Sequence, residues 1–509
     1  MISIASVDSA GNTIDDYTVC TVAPPGPSIL TLSSTTSILV AAKSAPTLSF
    51  STTDLIATGD VLKVTFLSTL IQPNNFSSSS ITVNDSSSGM VGLTTVVNLS
   101  TPNTDVSGRS YGYILPRLTG RTSVSNGSLF QLANLFIDGP PNTQTFLAFN
   151  LSIYRSGSLF CTGTISLSAS ANILLKQNVT ADNGLVNAQT IYTLTFTTSS
   201  PLTSQGRLKV VIPSDILAVN YVAKSCSSAF VNNFTSNATC TLTSNVLTVA
   251  GLFYDTTPTN SNVSLRFDGL MNPSTTKPTS AFTLTTYYDA TDNKTDESQT
   301  LTFAAMPDTI SNCNVTRNNN TVGAPSTYSF AYVVKNSLPK SAYIVIGLPA
   351  EVTLPSGSLT TSINGTVVLS TPVNTSGVQY VNITSPFVDI IPSATVLTIA
   401  INNLTNPGST SPTSSFSLSS YNAGFIIENI ISGLALGASS PNSFAIATIT
   451  PSNRMNGQAA TYLLSLQTSI SYAAGTVLVL AIPSQVTVSS PGCTSLLLNA
   501  TCSLVGGSL

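Results

Sequence analysis

The sequence contains neither histidine nor tryptophan. Without histidine, Ser-His-Asp and Cys-His catalysis and histidine-ligated metal sites are excluded, and the commonest general base is missing. The sequence also has no phosphate-binding loop, dinucleotide-binding glycine motif, zincin motif or Cys-x-x-Cys zinc pattern. Its acidic residues are too sparse for the paired carboxylates of a glycosidase. We therefore expect a protein that is not an enzyme and that uses no cofactor.

Charged residues are scarce as well. They make up 7% of the 509 residues, whereas about a quarter is usual. The net charge of −3 comes without a basic stripe, which removes the attraction on which nucleic-acid binding depends. A membrane span needs about 20 apolar residues, and the best apolar run, residues 425–438, is shorter and carries Glu428. We expect no nucleic-acid partner and no membrane span, while 42% hydrophobic residues suffice for packed cores.

Four stretches of the sequence are versions of one another. Copies that start at Pro24, Ser170, Met306 and Asn442 are spaced 146, 136 and 136 residues apart. Such regular spacing predicts separately folded domains with short connections. The predicted domains are 1–23 (terminal strands of an incomplete repeat), 24–169, 170–305 and 306–441 (β-sandwich repeats) and 442–509 (an incomplete fourth repeat).

Each copy contains the same two strand patterns. The first reads TLSF at 47–50, YTLTF at 192–196, YSFAY at 328–332 and YLLSL at 462–466. The second reads VLKVTF at 61–66, RLKVVIPSDI at 207–216, AYIVIGLPAEV at 342–352 and VLVLAIPSQV at 477–486. Apolar residues alternate with polar ones at a period of two, which is typical of half-buried strands.

About seven strands per copy predict an all-β chain of tandem immunoglobulin-like antiparallel β-sandwich domains in an extended rod. A short helix is expected, if anywhere, over residues 424–437. Tyr192, Tyr328 and Tyr462 mark one structural position, and we expect them in the core or at a corner and not as a stacking platform for a ligand.

The two ends of the sequence lie inside copies of the repeat. Residues 1–16 align without a gap with residues 282–297, so that Asp15 meets Asp296. Residues 1–23 therefore resemble the last strands of a domain. The fourth copy stops where Leu509 aligns with Leu247.

An incomplete sandwich would expose core side chains and strand edges, which natural proteins avoid. Two explanations stay open. The sequence is a segment of a longer repeat protein, or residues 1–23 of one subunit complete the 442–509 domain of the next subunit. The second explanation leaves about 34 positions of the repeat unfilled, which counts against simple complementation.

Cysteine placement indicates an oxidising compartment. Cys226 and Cys240 recur as Cys493 and Cys502 at the same point of another copy, and recurring local pairs predict disulfides. The pairing of the remaining Cys20, Cys161 and Cys313 is left open.

Asparagine adds support for secretion, because the sequence has seventeen N-glycosylation sequons, a modest excess over chance. They are Asn75, Asn84, Asn98, Asn126, Asn150, Asn178, Asn233, Asn237, Asn262, Asn293, Asn314, Asn319, Asn364, Asn374, Asn382, Asn403 and Asn499. We expect covalent glycans and an extracellular or cell-surface location. The first residues, MISIASVDSAGN, do not resemble a signal peptide, so secretion requires a targeting segment that is removed or lies upstream.

One acidic loop is a candidate metal site. Asp289, Asp292, Asp296 and Glu297 supply oxygen ligands of the kind that calcium prefers. The same residue types also form tight turns between strands. We favour the turn and expect no metal.

The block NPSTTKPTSAFTLTTY at 272–287 recurs as NPGSTSPTSSFSLSSY at 406–421, and an apolar-Pro step ends the second strand pattern in three copies. In these motifs the chain resembles giant tandem-repeat surface glycoproteins of ciliates and other unicellular eukaryotes. The resemblance implies an extracellular structural or coat role and transfers no catalytic residue. The sequence thus predicts a glycosylated structural protein that assembles head to tail with itself into a filament or surface appendage. The alternative is a cell-surface adhesin or carbohydrate-binding repeat protein.

Overall fold

The computed structural model describes the backbone of separate strands between residues 2 and 138, and then residues 139–155, 158–494 and 503. The range 158–494 has gaps at residues 220–223, 227, 256, 291, 356–358, 385, 473 and 490–491. Side chains are described at residues 38–42, 49 and 51. Beyond residue 138 they are described wherever the backbone is, except at residues 146–149 and 160. Every regular element of these residues is a β-strand. The chain forms two compact units, Met1–Met306 and Pro307–Leu509.

The first unit contains strands 1 to 31. The strands up to residue 170 are β1 Ile2–Val7, β2 Thr13–Cys20, β3 Ser28–Ser34, β4 Ile38–Leu39, β5 Lys43–Ser44, β6 Leu48–Thr52, β7 Ile56–Ala57, β8 Val61–Phe66, β9 Gln72–Asn75, β10 Ser80–Asp85, β11 Gly89–Leu93, β12 Asn103–Asp105, β13 Gly108–Ile114, β14 Ser123–Val124, β15 Leu129–Ala133, β16 Phe136–Asp138, β17 Thr145–Arg155 and β18 Ser158–Ser170. The following strands are β19 Asn172–Ile173, β20 Leu175–Ala181, β21 Gln189–Thr197, β22 Arg207–Val211, β23 Leu217–Ala218, β24 Lys224–Ser225, β25 Ser228–Val231, β26 Phe234–Thr235, β27 Thr239–Thr243, β28 Val246–Ala250, β29 Asn262–Met271, β30 Phe282–Tyr287 and β31 Lys294–Leu301.

The second unit contains strands 32 to 44. They are β32 Asp308–Thr309, β33 Asn314–Arg317, β34 Pro325–Val333, β35 Tyr343–Leu348, β36 Thr361–Ile363, β37 Thr366–Val368, β38 Ser370–Thr375, β39 Val378–Ile383, β40 Val396–Thr405, β41 Phe416–Asn422, β42 Phe425–Leu434, β43 Ile446–Pro451 and β44 Tyr462–Gln467.

The second and third copies of the repeat each fold into two sheets. In the second copy the strand orders are β19-β31-β30-β22-β28-β27-β24 and β20-β21-β29-β25-β26, with β23 also paired to β29. In the third copy they are β32-β42-β41-β35-β39-β38 and β33-β34-β40-β36-β37. All pairs are antiparallel except the short β19–β31 and β32–β42 pairs. The predicted tandem antiparallel sandwich fold is confirmed.

The first copy connects its strands differently. One sheet has the order β11-β10-β15-β6-β3-β18-β17-β8-β13-β12, with β4 on β18. Strand β3 pairs with β18 at Ser28 and Ile29 and with β6 from Leu30 to Ser34. A strand that changes partners along its length joins two sheets into one. In the later copies the corresponding stretch is divided between sheets, as β19 with β20 and β32 with β33.

The cores form where the two sheets face each other. Along β21 and β34 every second residue is buried, because successive side chains of a strand point to opposite faces. In the second copy Tyr192 packs against Phe267, with ring centroids 6.0 Å apart, and against Phe303 at 5.3 Å. In the third copy Phe330 contacts Phe416 edge to face at 5.5 Å.

The expected helix over residues 424–437 is wrong, because this region forms strand β42. Ala423 and Gly424 both have positive φ, 50° and 86°. Two such residues make the type I′ turn of a two-residue hairpin, and Asn422 then lies opposite Phe425. The apolar run continues as a strand because the turn returns the chain along β41. The predicted domain boundaries stay predictions.

Candidate functional site

Three copies of the repeat contain the same hairpin. It consists of β20 and β21 in the second copy, β33 and β34 in the third, and β43 and β44 in the fourth. The motif tyrosines face Ala181, Arg317 and Pro451 at equivalent registers. The next pair on the same face lies two residues away in each hairpin: Val179–Leu194, Val315–Phe330 and Ile449–Leu464. Since a one-residue slip would turn every side chain to the other face, the shared register indicates the same fold in all three copies.

The fourth hairpin differs in what covers it. Tyr192 and Tyr328 are 0% exposed, whereas Tyr462 is 46% exposed. Ile449, which corresponds to the buried Val179 and Val315, is exposed as well. We call β43 and β44 together the open hairpin.

Strand pairing explains this exposure. In the complete copies β21 pairs with β29 and β34 pairs with β40, and these long strands carry part of the core. The open hairpin is a two-stranded sheet, and none of the described strands pairs with it. A two-stranded hairpin by itself is marginally stable in water. Its apolar face therefore needs a cover.

The next segment of the fourth copy is also uncovered. The sequence predicts a strand at 477–486, yet residues 476–480 form none in the structure. Leu208 and Ile344 in the corresponding strands β22 and β35 are 0% exposed, whereas Leu478 is 50% exposed. A strand requires a neighbour to satisfy its backbone groups, and no described strand lies beside this segment. We call residues 476–480 the unpaired segment.

The turn after this segment nevertheless forms. The amides of Ile216, Val352 and Val486 donate to the carbonyls of Pro213, Pro349 and Pro483 at 2.9–3.0 Å, one bond in each copy. The apolar-Pro step thus sets a local turn whether or not the strand before it is paired.

A buried tyrosine–asparagine pair holds the complete copies together. The Tyr192 hydroxyl donates to Asn272 Oδ1 at 2.6 Å, and Asn272 Nδ2 donates to the carbonyls of Asn183 and Leu185, both at 2.7 Å. One side chain thereby ties the first loop of the sandwich to its core. Burial raises the pKa of the Tyr192 hydroxyl.

The third copy repeats the pair. Tyr328 donates to Asn406 Oδ1 at 2.7 Å, and Asn406 Nδ2 donates to the carbonyls of Asn319 and Thr321, both at 2.8 Å. The sequence placed the tyrosines in the core but did not identify their partner. The signal was present, since each asparagine opens the recurring NP block.

A buried carboxylate caps a second loop in each complete copy. Asp296 Oδ2 accepts hydrogen bonds from the backbone N–H groups of Ser199 and Ser200 at 3.1 and 3.2 Å. The Asp296 side chain is fully buried, and this burial raises the pKa of its carboxyl, opposed by the hydrogen bonds from Ser200 and Ser199.

Glu428 does the same in the third copy. Its Oε2 accepts from the N–H groups of Lys335 and Asn336 at 3.0 and 2.9 Å. Asp308 lies in the same cluster, with Lys335 Nζ 2.7 Å from its Oδ1 and Asn336 Nδ2 donating to its Oδ2 at 3.1 Å. Burial raises the pKa of Glu428, the hydrogen bonds from Asn336 and Lys335 lower it, and nearby Asp308 raises it.

The structure does not bring the candidate calcium ligands together. Asp292 forms an ion pair with Lys209 at 2.9 Å, and Glu297 forms one with Lys294 at 2.6 Å. Asp296 is turned into the sandwich, where it caps the loop. Among the described residues no three acidic or cysteine side chains lie close enough to hold a metal ion. Asp289, the fourth candidate, is half-buried beside the turn.

Cys226 and Cys240 form a disulfide with 5.1 Å between their Cα atoms. Cys493 is also disulfide-bonded, and Cys502 lies outside the described residues. Cys313 carries a free thiol, and burial raises its pKa to about 11.

The sequon asparagines differ in exposure. Those with exposed side chains are Asn178, Asn233, Asn237, Asn262, Asn314, Asn364, Asn374 and Asn403. Those that are half-buried are Asn150, Asn293, Asn319 and Asn382. The side chains of Asn75, Asn84, Asn98, Asn126 and Asn499 lie outside the described residues. Among the described residues no helix is long and apolar enough to cross a bilayer.

No protein-family model matches the sequence, and no curated protein matches it significantly. Solved structures of β-rich surface proteins do match. A Corynebacterium diphtheriae protein described as membrane anchored is 12% identical, with 81% of this chain and 92% of that chain covered and a TM-score of 0.21. An Escherichia coli adhesin, FdeC, is 12% identical, with coverages of 81% and 97% and a TM-score of 0.17.

The N-terminal domain of a Streptococcus gordonii adhesin is 10% identical, with coverages of 80% and 91% and a TM-score of 0.22. These matches share a generic architecture of tandem β-domains with the chain and carry no argument about its function. The resemblance to ciliate surface glycoproteins has no support from a family match.

Proposed function

We propose that the protein is an extracellular structural protein that assembles head to tail into a filament or surface appendage. It acts without catalysis, and it carries N-linked glycans on its exposed sequons. The apolar face of its fourth copy is completed by a neighbouring subunit or by adjoining chain. The absence of histidine supports the non-enzymatic role.

One observation carries this proposal. The open hairpin has the register of β20–β21 and β33–β34, yet its Tyr462 and Ile449 are exposed where their counterparts are buried. Large exposed apolar faces and open strand edges mark association sites. Because the open hairpin has the register of half a sandwich, the strands of the missing half fit its apolar face best.

Electron microscopy and sedimentation velocity of the purified full chain test the proposal. We expect long polymers whose fraction grows with protein concentration. Dispersed particles of constant mass at the highest concentration would refute filament formation. Intact mass before and after deglycosylation tests the glycans, and an unchanged mass would refute them.

A carbohydrate-binding surface protein is the second candidate. The observation that favours it is the stacked pair of Tyr343 and Tyr421, half-exposed rings with centroids 5.1 Å apart on the outer face of the β35–β41 sheet. Tyrosine is enriched in binding surfaces. Glycan-array binding that Tyr343→Ala abolishes would support this candidate, whereas an array without signal would reject it.

A further inference from the structure

We propose that Asn382 carries an N-linked glycan whose first sugars lie against Tyr380 and Tyr343, on the outer face of the β38-β39-β35-β41 sheet. Val381 and Ile383, the neighbours of Asn382 on β39, are 0% exposed and face the core, so the Asn382 side chain faces outward. The inference rests on the proposed N-glycosylation. It extends that proposal from the exposed sequons to a half-buried one and gives the glycan a defined position.

Asn382 lies among three tyrosines of this face. Tyr380 precedes it by two residues on β39, which places both side chains on the same side of the sheet. Val345 of β35 is directly opposite Asn382, so Tyr343 is its diagonal neighbour, at a separation of about 7–8 Å that long side chains bridge. Tyr343 in turn stacks on Tyr421 with ring centroids 5.1 Å apart. A sugar attached to Asn382 therefore has an aromatic ring on either side of it.

In the second copy a lysine covers the corresponding ring. Tyr287 and Tyr421 are equivalent, because each pairs with the first position of the neighbouring strand, β22 or β35. Lys209 Nζ lies 4.8 Å from the centroid of the Tyr287 ring and forms an ion pair with Asp292 at 2.9 Å. The outer face of the second copy is thus charged, and its ring has a cover from within the sheet.

The third copy replaces the lysine with a sequon. Val345 holds the position of Lys209 and is too short to cover a ring. The residue opposite this position is Thr248 in the second copy and Asn382 in the third. Asn382 and Thr384 form an Asn-x-Thr sequon, whereas Thr248 carries none. The position that loses its lysine cover therefore gains a site for a glycan.

The chemistry of this face fits a neutral sugar. Strands β38, β39, β35 and β41 contain no Asp, Glu, Lys or Arg, so the face offers no ion pair to a charged partner. A pyranose ring presents C–H groups that pack on the face of an aromatic ring. The half-exposed rings of Tyr343, Tyr380 and Tyr421 supply such faces.

The Asn382 amide is also less engaged than that of another half-buried sequon. Among the described residues Asn382 Oδ1 is buried without a hydrogen-bond partner. The exposure of this half-buried residue therefore lies on its other atoms. In Asn319, by contrast, Oδ1 accepts the Thr321 amide and Nδ2 donates to the Pro325 carbonyl. We therefore distinguish Asn382 from Asn319 as a glycosylation site.

Glycosylation joins Asn382 Nδ2 to the anomeric carbon of the first sugar. The donor is an oligosaccharide linked to a lipid diphosphate. The bond between the anomeric carbon and the diphosphate breaks, the diphosphate leaves, and the amide nitrogen gives up one proton. Thr384 completes the sequon that this transfer requires.

Glycopeptide mapping of the full chain, secreted from a eukaryotic host, tests the site. We expect a glycan at Asn382 as well as at the exposed Asn364. A glycan at Asn364 and none at Asn382 would overturn this inference and leave the proposed glycosylation standing. A chain without glycan at either site would contradict both.

Hydroxyl-radical footprinting of the same protein tests the contact with the rings. Thr384→Ala removes the sequon and keeps Asn382, and it should raise the labelling of Tyr343 and Tyr380 at least about twofold, because a covering sugar hides much of the large ring surface. The matched control is Thr366→Ala, which removes the Asn364 sequon and should leave this labelling unchanged.

The labelling of Tyr254 serves as an internal standard, since this ring belongs to the second copy and is 41% exposed. If Asn382 carries a glycan but Thr384→Ala changes the labelling of Tyr343 and Tyr380 no more than that of Tyr254, the glycan does not lie on the rings and the contact is overturned.

Discussion

Replacing Asn406 by alanine tests whether the buried tyrosine–asparagine pair holds the third copy together. Asn406 is 2% exposed and accepts the Tyr328 hydroxyl while it donates to the carbonyls of Asn319 and Thr321. The truncation removes all three hydrogen bonds at once. It leaves one buried hydroxyl and two carbonyls without these partners.

The loss of stability follows from the number of buried polar groups that lose their hydrogen-bond partner. Each buried polar group that loses its partner costs about 1–3 kcal/mol, so three lost bonds lower the free energy of unfolding by roughly 3–5 kcal/mol after partial solvation of the loop. Tyr328→Phe leaves only Asn406 Oδ1 without a partner and should lower the free energy of unfolding by about 1–3 kcal/mol. Asn422→Ala is the matched control, since its side chain accepts one exposed hydrogen bond from Ser341, and a surface change of this kind costs at most about 0.5 kcal/mol.

Calorimetry and hydrogen exchange measure the effect. A domain of this size loses about 3 °C in Tm per kcal/mol, so Asn406→Ala should lower one transition by roughly 10 °C. Exchange at the Val322 amide, which donates to the Ser440 carbonyl beside this loop, should accelerate. If Asn406→Ala shifts the transition no more than Asn422→Ala does, the pair does not hold the loop and the reasoning fails.

Three further predictions concern the disulfide, a buried acid and the glycans. Cys226→Ala removes the disulfide, whose cysteines have a sequence separation of 14, and should lower the free energy of unfolding by about 3 kcal/mol as measured by calorimetry. Cys313→Ala, at a free thiol, should lower it much less, and equal effects would contradict the prediction. Burial raises the folded-state pKa of Glu428 above 4.5, so the stability of the wild type should fall as pH rises from about 4.5 to that folded pKa and then level off. Glu428→Gln should lack this dependence in urea titrations at several pH values, and parallel profiles would refute it. Peptide mapping before and after deglycosylation should show a glycan at the exposed Asn364 and none at Asn319. The Asn319 side chain is already engaged, since its Oδ1 accepts the Thr321 amide and its Nδ2 donates to the Pro325 carbonyl. A glycosylated Asn319 would show that this loop opens.

The local patterns of the sequence were sufficient for strands such as β21 and β34. In β21 and β34 the alternation of apolar and polar residues appears directly as alternating burial, because strand geometry has a period of two. The copies also share their hairpin register, since it depends on nearby residues and a short turn. The pair Cys226 and Cys240 was predictable for the same reason, as its members are close in sequence.

Contacts between distant residues were not predictable in this way. Asp296 was read as part of an acidic loop, but its side chain lies inside the sandwich because two amides more than 90 residues away in sequence need an acceptor. Asn272 could not be matched to Tyr192, 80 residues away, from periodicity. The run at 424–437 became a strand because the Ala423-Gly424 turn aligned it with β41.

The sequence by itself determined the all-β character of the chain, the repeated copies and the turn at each apolar-Pro step, since these depend on neighbours within a few residues. Only the tertiary structure decided which strands have partners. Leu208 and Leu478 occupy the same position of the repeat, yet one is buried and the other is half exposed. The physical reason is that a strand is completed by the backbone groups beside it, and those belong to residues far along the chain or to another molecule.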